Sequence, residues 1–121
     1  MKIGLDLVSI KRIELFINRF GERGLKRYLC DAEIALIKSP KTAAGFWAAK
    51  EAVSKALGTG IGSALSFHDI TLSKSSLGAP QASLSPHAIA HFGPCHISLS
   101  ITHDQGFAAA VALVECDKIV D

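Results

Sequence analysis

Three cysteines, one methionine, one tryptophan, one tyrosine and four prolines are all that the 121-residue chain has of these residues. Cys30, Cys95 and Cys116 are odd in number and far apart, which fits neither a disulfide framework nor a zinc knuckle; all three are expected to be free thiols in a reducing compartment. No apolar run approaches the roughly 18 uncharged residues that would span a bilayer. Met1-Lys2 passes at once into the alternating Ile3-Gly4-Leu5-Asp6-Leu7-Val8, with no apolar leader core. A cytoplasmic protein without membrane contact is the expectation. The basic segment lacks interleaved exposed aromatics, and the isoelectric point of about 8.5 lies below the roughly 9 usual for nucleic-acid-binding domains, so nucleic acid is not an expected partner. There is no internal repeat and no low-complexity segment.

What the chain has is apolar mass, 49% of its residues, enough at this length for one compact domain over residues 1–121. The net charge of +2 hides an asymmetry: residues 1–55 hold eleven of the thirteen bases against six of the eleven acids. Lys11, Arg12, Arg19, Arg23, Lys26 and Arg27 are opposed over the same stretch only by Glu14 and Glu22. A basic face of this kind implies an acidic partner, either a protein or a phosphorylated small molecule.

Residues 3–8 alternate like a strand, and Ser9 is placed to cap a helix whose apolar stripe is Ile10, Ile13, Phe16, Ile17 and Phe20. Arg12 and Arg19 then share its exposed face. Gly21 and Gly24 interrupt the helix, a short helix is expected over 32–38 after an Asp31 cap, and Ser39-Pro40 separates it from a long helix over 42–57 closed by Gly58. Beyond residue 60 the pattern turns to strands, at 70–73, 82–84, 96–102 and 107–114, with a turn at 77–80 and a short helix over 86–92. The spacing predicts an α+β fold, helices packed on a small antiparallel sheet.

The candidates for chemistry are few. Glu51 and Lys55, four apart on the long helix, share a face in the favoured acid-before-base order, with Lys50 adjacent and Trp47 one turn earlier. A solvated surface pair would have the same spacing. Asp6 sits among residues that want burial and therefore needs a partner. His103 continues the parity of Ile97, Leu99 and Ile101 to the point where a strand meets a turn. Gly58-Thr59-Gly60-Ile61-Gly62 follows a helix C-terminus, so it has the wrong polarity for a Walker-type phosphate loop. His87 and His91 have the i, i+4 spacing of a metal pair but no accompanying acid. If Asp6 and Glu51 converge, they offer two hard oxygen donors suited to Mg²⁺ beside the positive or hydrogen-bonding groups of Lys50, Lys55 and His103, an arrangement able to handle a pyrophosphate.

Three segments together resemble the holo-[acyl-carrier-protein] synthases, the short class of 4'-phosphopantetheinyl transferases. They are Gly4-Leu5-Asp6-Leu7-Val8 with Lys11-Arg12-Ile13, then Trp47-Ala48-Ala49-Lys50-Glu51-Ala52 through Lys55-Ala56-Leu57-Gly58-Thr59-Gly60-Ile61, and His96-Ile97-Ser98-Leu99-Ser100-Ile101-Thr102-His103. The Leu77-Gly78-Ala79-Pro80 turn and the closing 108–115 segment extend the resemblance over nearly the whole chain. It implies the 4'-phosphopantetheinyl transferase fold and transfer of the phosphopantetheine arm of coenzyme A to a serine of apo acyl carrier protein, within fatty acid biosynthesis. It also implies that Asp6 and Glu51 hold Mg²⁺, that Glu51, Lys55 and His103 are catalytic, and that Lys50, Lys55, Gly58, Thr59, Gly60 and His103 bind coenzyme A. Arg12, and more weakly Arg19, would dock the carrier protein. A homotrimer is implied, with sites at subunit interfaces and His103 supplied by the neighbour of Asp6 and Glu51.

One departure stands out. The resemblance implies an arginine just before Phe46, where this chain has Gly45; Lys38 or Lys41 is the candidate replacement. Two other classes share the same residues. A metal-dependent phosphohydrolase would use both acids with water as acceptor, and a non-catalytic nucleotide-binding module would need the bases but not both acids.

Overall fold

The computed structural model describes residues 1–117. Strand β1 (Lys2–Ser9) leads into α1 (Ile10–Phe20), and two short helices follow, α2 (Glu22–Lys26) and α3 (Asp31–Ile34), before the long helix α4 (Pro40–Ala56). A 3₁₀ turn at Phe67–Asp69 precedes the hairpin of β2 (Ile70–Lys74) and β3 (Pro80–Leu84). Helix α5 (Pro86–Phe92) connects it to a second hairpin, β4 (Cys95–Asp104) and β5 (Phe107–Cys116). The α+β expectation holds, and the element limits fall within a few residues of those read from the pattern.

Local chemistry accounts for the junctions. Ser9 ends β1 in an extended conformation, and its hydroxyl accepts the Arg12 N–H at 3.2 Å, so one residue serves as strand end and helix cap. Gly21, at φ 60°, closes α1 by donating its N–H to Ile17 O. Helix α4 begins two residues earlier than expected because Pro40 is at home in the first turn. Cys30, not Asp31, precedes α3, and its N–H is taken by the Glu33 carboxylate at 2.7 Å. The β4–β5 hairpin turns on Gln105 and Gly106, both left-handed, which matches the twist of the flanking strands.

Periodicity did not reveal that β1 pairs antiparallel with β5, giving a sheet ordered β1-β5-β4. Helix α4 lies across its inner face. Small residues make this possible: Ala48, Ala52 and Ala56 on the helix meet Gly4, Ala108, Ala110 and Ala112 on the sheet, all buried. Phe16, Tyr28, Trp47 and Phe67 form an aromatic cluster on the other side of α4, with the Trp47 and Phe67 ring centres 4.8 Å apart. Trp47 is therefore partly buried and packs against the core through this cluster.

The expectation of three free thiols is corrected. Cys95 and Cys116 face each other across β4 and β5 and form a disulfide, leaving Cys30 as the free thiol among the described residues. Their sequence separation concealed a pairing that strand register creates. No helix among the described residues is long and apolar enough to cross a membrane.

Candidate functional site

The site begins with Gly4. A Cβ there would lie 1.9 Å from Ala52 O and 2.6 Å from Ala56 N, so only glycine lets β1 seat directly on the α4 backbone. Two residues along, Asp6 points the same way from the strand, toward the helix, and meets the side chains of Glu51 and Lys55. Lys55 Nζ donates to Asp6 Oδ1 at 2.9 Å and to Leu5 O at 3.2 Å. The Asp6 side chain is 14% exposed and that of Lys55 49% exposed, so the pair is partly wet and contributes at most about 1 kcal/mol to stability. The ammonium of Lys55 thus bridges strand and helix and does not close back on Glu51.

Glu51 is half-buried, and its proton affinity is raised, first by burial and then by the neighbouring Asp6 carboxylate. The Lys55 and Arg12 cations act in the opposite direction. Arg12 is exposed on α1, whose start Ser9 ties to the end of β1. The fold therefore assembles Asp6, Glu51, Lys55 and Arg12 into one group, two acids with two bases, at the junction of β1, α1 and α4. Two partly exposed carboxylates repelling each other form a donor set that fits a hard divalent cation such as Mg²⁺.

Lys50, expected among the coenzyme A contacts, lies outside this group. It is 0% exposed, and its ammonium donates to Glu33 Oε1 at 2.9 Å, Tyr28 O at 2.7 Å and Phe67 O at 3.1 Å, which uses all three of its protons. Burial lowers its proton affinity and Glu33 counteracts this. Position Lys50 is one residue from Glu51, hence about 100° around the helix, on the side away from Asp6.

In the loop after α4, the N–H groups of Gly58 and Gly60 turn inward, to Lys55 O at 3.0 Å and Ser54 O at 3.1 Å. Thr59 Oγ1 lies 2.8 Å from Gly60 O, to which it donates. Neither glycine aims its N–H at a ligand; their contribution to any contact is a bare, closely approachable backbone.

His103 stands apart from the acids. Register puts it two strands from β1 and one row beyond Asp6, because Asp6 pairs with Ala110, Ala110 with Ile101, and His103 lies two residues past Ile101. That is a backbone separation on the order of 10 Å. His103 instead lines a cavity of about 290 Å³ with Lys41, Lys74, Gly45, Gly78 and Ile101. Lys74 was not singled out from sequence; its only sign there is a basic residue three before the Leu77-Gly78 turn. Gly45 fits because a Cβ at that position would already touch Ile101 Cγ2 at 3.0 Å, so a long side chain would have to displace the β4 isoleucine. Of the two lysines considered as its replacement, Lys41 lines the cavity.

On the basic face, Arg19 and Arg27 stack on the Phe20 ring at 5.1 and 4.5 Å from its centre, leaving their charges outward. Among the described residues no three histidine, cysteine or acid side chains gather as a metal-binding group, so the His87 and His91 spacing has no complement.

A model of the 4'-phosphopantetheinyl transferase superfamily matches residues 2–112. The chain belongs to this superfamily. Within it, the chain groups with the holo-[acyl-carrier-protein] synthases, which are enzymes. The protein of that name from Wolinella succinogenes is 58% identical over 113 residues, which are 93% of this chain and 96% of the relative. The Helicobacter pylori holo-[acyl-carrier-protein] synthase, solved in complex with coenzyme A, superposes with a TM-score of 0.88 at 47% identity, covering 93% of this chain and 99% of that one. The Neisseria meningitidis enzyme superposes with a TM-score of 0.84 at 33% identity, over 94% and 97% of the two chains. The sequence resemblance and the α+β fold expected from it agree with these findings.

Proposed function

We propose that the chain transfers 4'-phosphopantetheine from coenzyme A to a serine hydroxyl of an apo acyl carrier protein and releases adenosine 3',5'-bisphosphate. The observation that carries this reading is the meeting of Asp6 on β1 with Glu51 and Lys55 on α4, in a chain of this superfamily. The serine oxygen attacks the phosphorus that bears the pantetheine arm. The bond from that phosphorus to the bridging oxygen breaks, and the bridging oxygen leaves with the adenosine bisphosphate. Asp6 and Glu51 are the residues that would hold Mg²⁺, which when bound neutralises and orients the pyrophosphate. Glu51, directly or through a bound water, takes the serine proton. Lys55, with nearly half of its side chain exposed, can leave Asp6 for the phosphate oxygens and stabilise charge developing there.

The basic face of α1 and α2, with Arg12 reaching the edge of the site, receives the acidic carrier protein. The arrangement of the surface also supports a homotrimer. Ile3, Leu5, Leu7 and Leu113 are 66%, 64%, 63% and 39% exposed on the outer face of the sheet, a patch that soluble monomers seldom leave bare. A neighbour seated there could bring its His103 and Lys41 cavity to the Asp6 and Glu51 of the first subunit, which a single chain keeps apart. We place this activity in the cytoplasm, in the supply of holo carrier protein for fatty acid synthesis.

The test is the intact mass of an apo acyl carrier protein incubated with the purified protein, coenzyme A and Mg²⁺, with an EDTA control. A gain of one phosphopantetheine group that EDTA abolishes is the expected result. Consumption of coenzyme A without a change in carrier mass would replace the reading with a hydrolase.

A further inference from the structure

Glu51 is flanked on α4 by two fully buried polar residues, Lys50 and Ser54, neither of which the proposed chemistry uses. Both bind the segment 57–67, which contains the glycine loop. Ser54 O accepts the Gly60 N–H at 3.1 Å near the start of this segment, while Ser54 Oγ donates to Glu51 O at 2.7 Å. Lys50 Nζ donates to Phe67 O at 3.1 Å at its far end. Between these two points the backbone has no regular structure, and Leu65 is its one fully buried side chain. Behind Lys50 stands Glu33, also 0% exposed, whose Oε1 takes the Cys30 N–H at 2.7 Å and whose Oε2 takes the Leu72 N–H at 2.7 Å. One charged pair thus joins α3, α4, β2 and the end of the loop.

Such a pair is a poor way to gain stability. Desolvating two charges offsets most of their attraction, and an apolar pair of equal volume often does as well or better. What the pair supplies and an apolar pair cannot is direction: two of the lysine protons go to the backbone carbonyls of Tyr28 and Phe67 and the third to Glu33, whose two oxygens each take a backbone N–H, from Cys30 and Leu72. We propose that Lys50, oriented by Glu33, is a positioning residue that clamps the 57–67 segment onto α4 and so sets where the glycine loop meets coenzyme A beside Glu51. This rests on the transferase reading and on the assignment of Gly58, Thr59 and Gly60 to the coenzyme A contact.

The test is the double variant Glu33→Gln with Lys50→Met, which removes both charges together and leaves neither buried alone. Two readouts are taken on the folded variant: kinetic constants for coenzyme A and for the carrier protein, and amide hydrogen exchange of the loop and of α4 without substrate. The expected result is a KM for coenzyme A raised about tenfold, as a loop displaced by a fraction of an ångström would give, with the KM for carrier protein unchanged. Amides of residues 58–66 should exchange faster while those in the middle of α4 stay protected. A purely structural role would lower the melting temperature and leave both readouts unmoved, which would overturn the proposal. If the double variant does not fold, Glu33→Gln alone keeps the lysine and its two carbonyl acceptors; it should give a smaller rise in loop exchange, and unchanged loop exchange overturns the clamp. The exchange readout needs no substrate, so it decides the clamp even if the wild-type protein proves not to transfer phosphopantetheine.

Discussion

Substituting Gly4 by alanine, the smallest change available, should uncouple the site without touching any group that performs chemistry. The added Cβ would sit 1.9 Å from Ala52 O, about 1.1 Å inside the 3.0 Å below which such contacts essentially never occur. The obstacle is helix backbone, flanked by Ala56 N at 2.6 Å, so no side-chain rotation relieves it. Either β1 or α4 must move by roughly an ångström. Overpacking of this kind costs about 1–3 kcal/mol. The same movement pulls Asp6 on the strand away from Glu51 and Lys55 on the helix, and misplacement of about 1 Å costs on the order of a hundredfold in rate.

Two measurements on the same preparation check this: the thermal midpoint, and kcat/KM for phosphopantetheine transfer well below that midpoint. Gly62→Ala is the control, since a Cβ there meets nothing within 4 Å and its φ is not left-handed. The control should keep the wild-type midpoint. Gly4→Ala should lose both stability and, in the fraction that remains folded, about two orders of magnitude in kcat/KM. A variant with wild-type midpoint and wild-type kcat/KM would refute the argument that strand and helix contact at this glycine sets the site.

Asp6→Ala and Glu51→Gln should each reduce transfer by about 10²–10⁴-fold, with the folded state retained, as measured by carrier-protein mass and circular dichroism; near-wild-type activity in both would remove them from the reaction. Arg12→Ala should raise the KM for carrier protein and flatten its dependence on ionic strength, read from initial rates at several salt concentrations. In metal-free protein Glu51 should titrate above the ordinary glutamate value of 4.5, because burial and Asp6 favour its protonated form. The folded state then holds more protons than the unfolded one between 4.5 and the raised value, so this group makes stability fall as pH rises through that window. Carbon NMR of Glu51 should show the value drop when Mg²⁺ is added, and indifference to Mg²⁺ would count against the metal assignment. Reducing the Cys95–Cys116 disulfide, whose partners are separated by 21 residues, should cost about 3 kcal/mol in denaturant unfolding, and an unmoved midpoint would show that the bridge does not constrain the chain.

Local features of the sequence identified the elements with little error, because each carries its own signal: Ser9 before the apolar stripe of α1, Ser39-Pro40 at the start of α4, Gly106 in the terminal turn. What the sequence hid were contacts created by register. Nothing local indicates that β1 pairs with β5, that Cys95 faces Cys116, or that Glu33 lies against Lys50, which is 17 residues away in the chain. Lys50 shows the limit most plainly. Beside Glu51 it looks like a second active-site cation, yet a turn of about 100° per residue separates the two side chains and sends one to the site and the other to the core. Asp6, by contrast, was readable as a carboxylate in need of a partner, and Lys55 is that partner at 2.9 Å.

The two faces of β1 bring these points together. Gly4, Asp6 and Val8 look inward, one admitting the helix, one presenting the acid, one filling the core, while Ile3, Leu5 and Leu7 look outward and stay about two-thirds exposed. In the proposed trimer the outward leucines carry the assembly and the inward aspartate carries the metal, with a single residue step between the two duties. Any change that shifts the register of β1 by one residue would exchange them, exposing the acid to the interface and driving leucine into the helix backbone. Association and chemistry should therefore be lost together in a register-shifting insertion within residues 3–7, whereas a polar substitution at Leu5 should dissociate the assembly while leaving the Asp6 to Lys55 contact of each chain intact. Sedimentation velocity and transfer kinetics on the two variants separate the cases, and a Leu5→Glu protein that remained associated would show that the outer face of the sheet is not the interface.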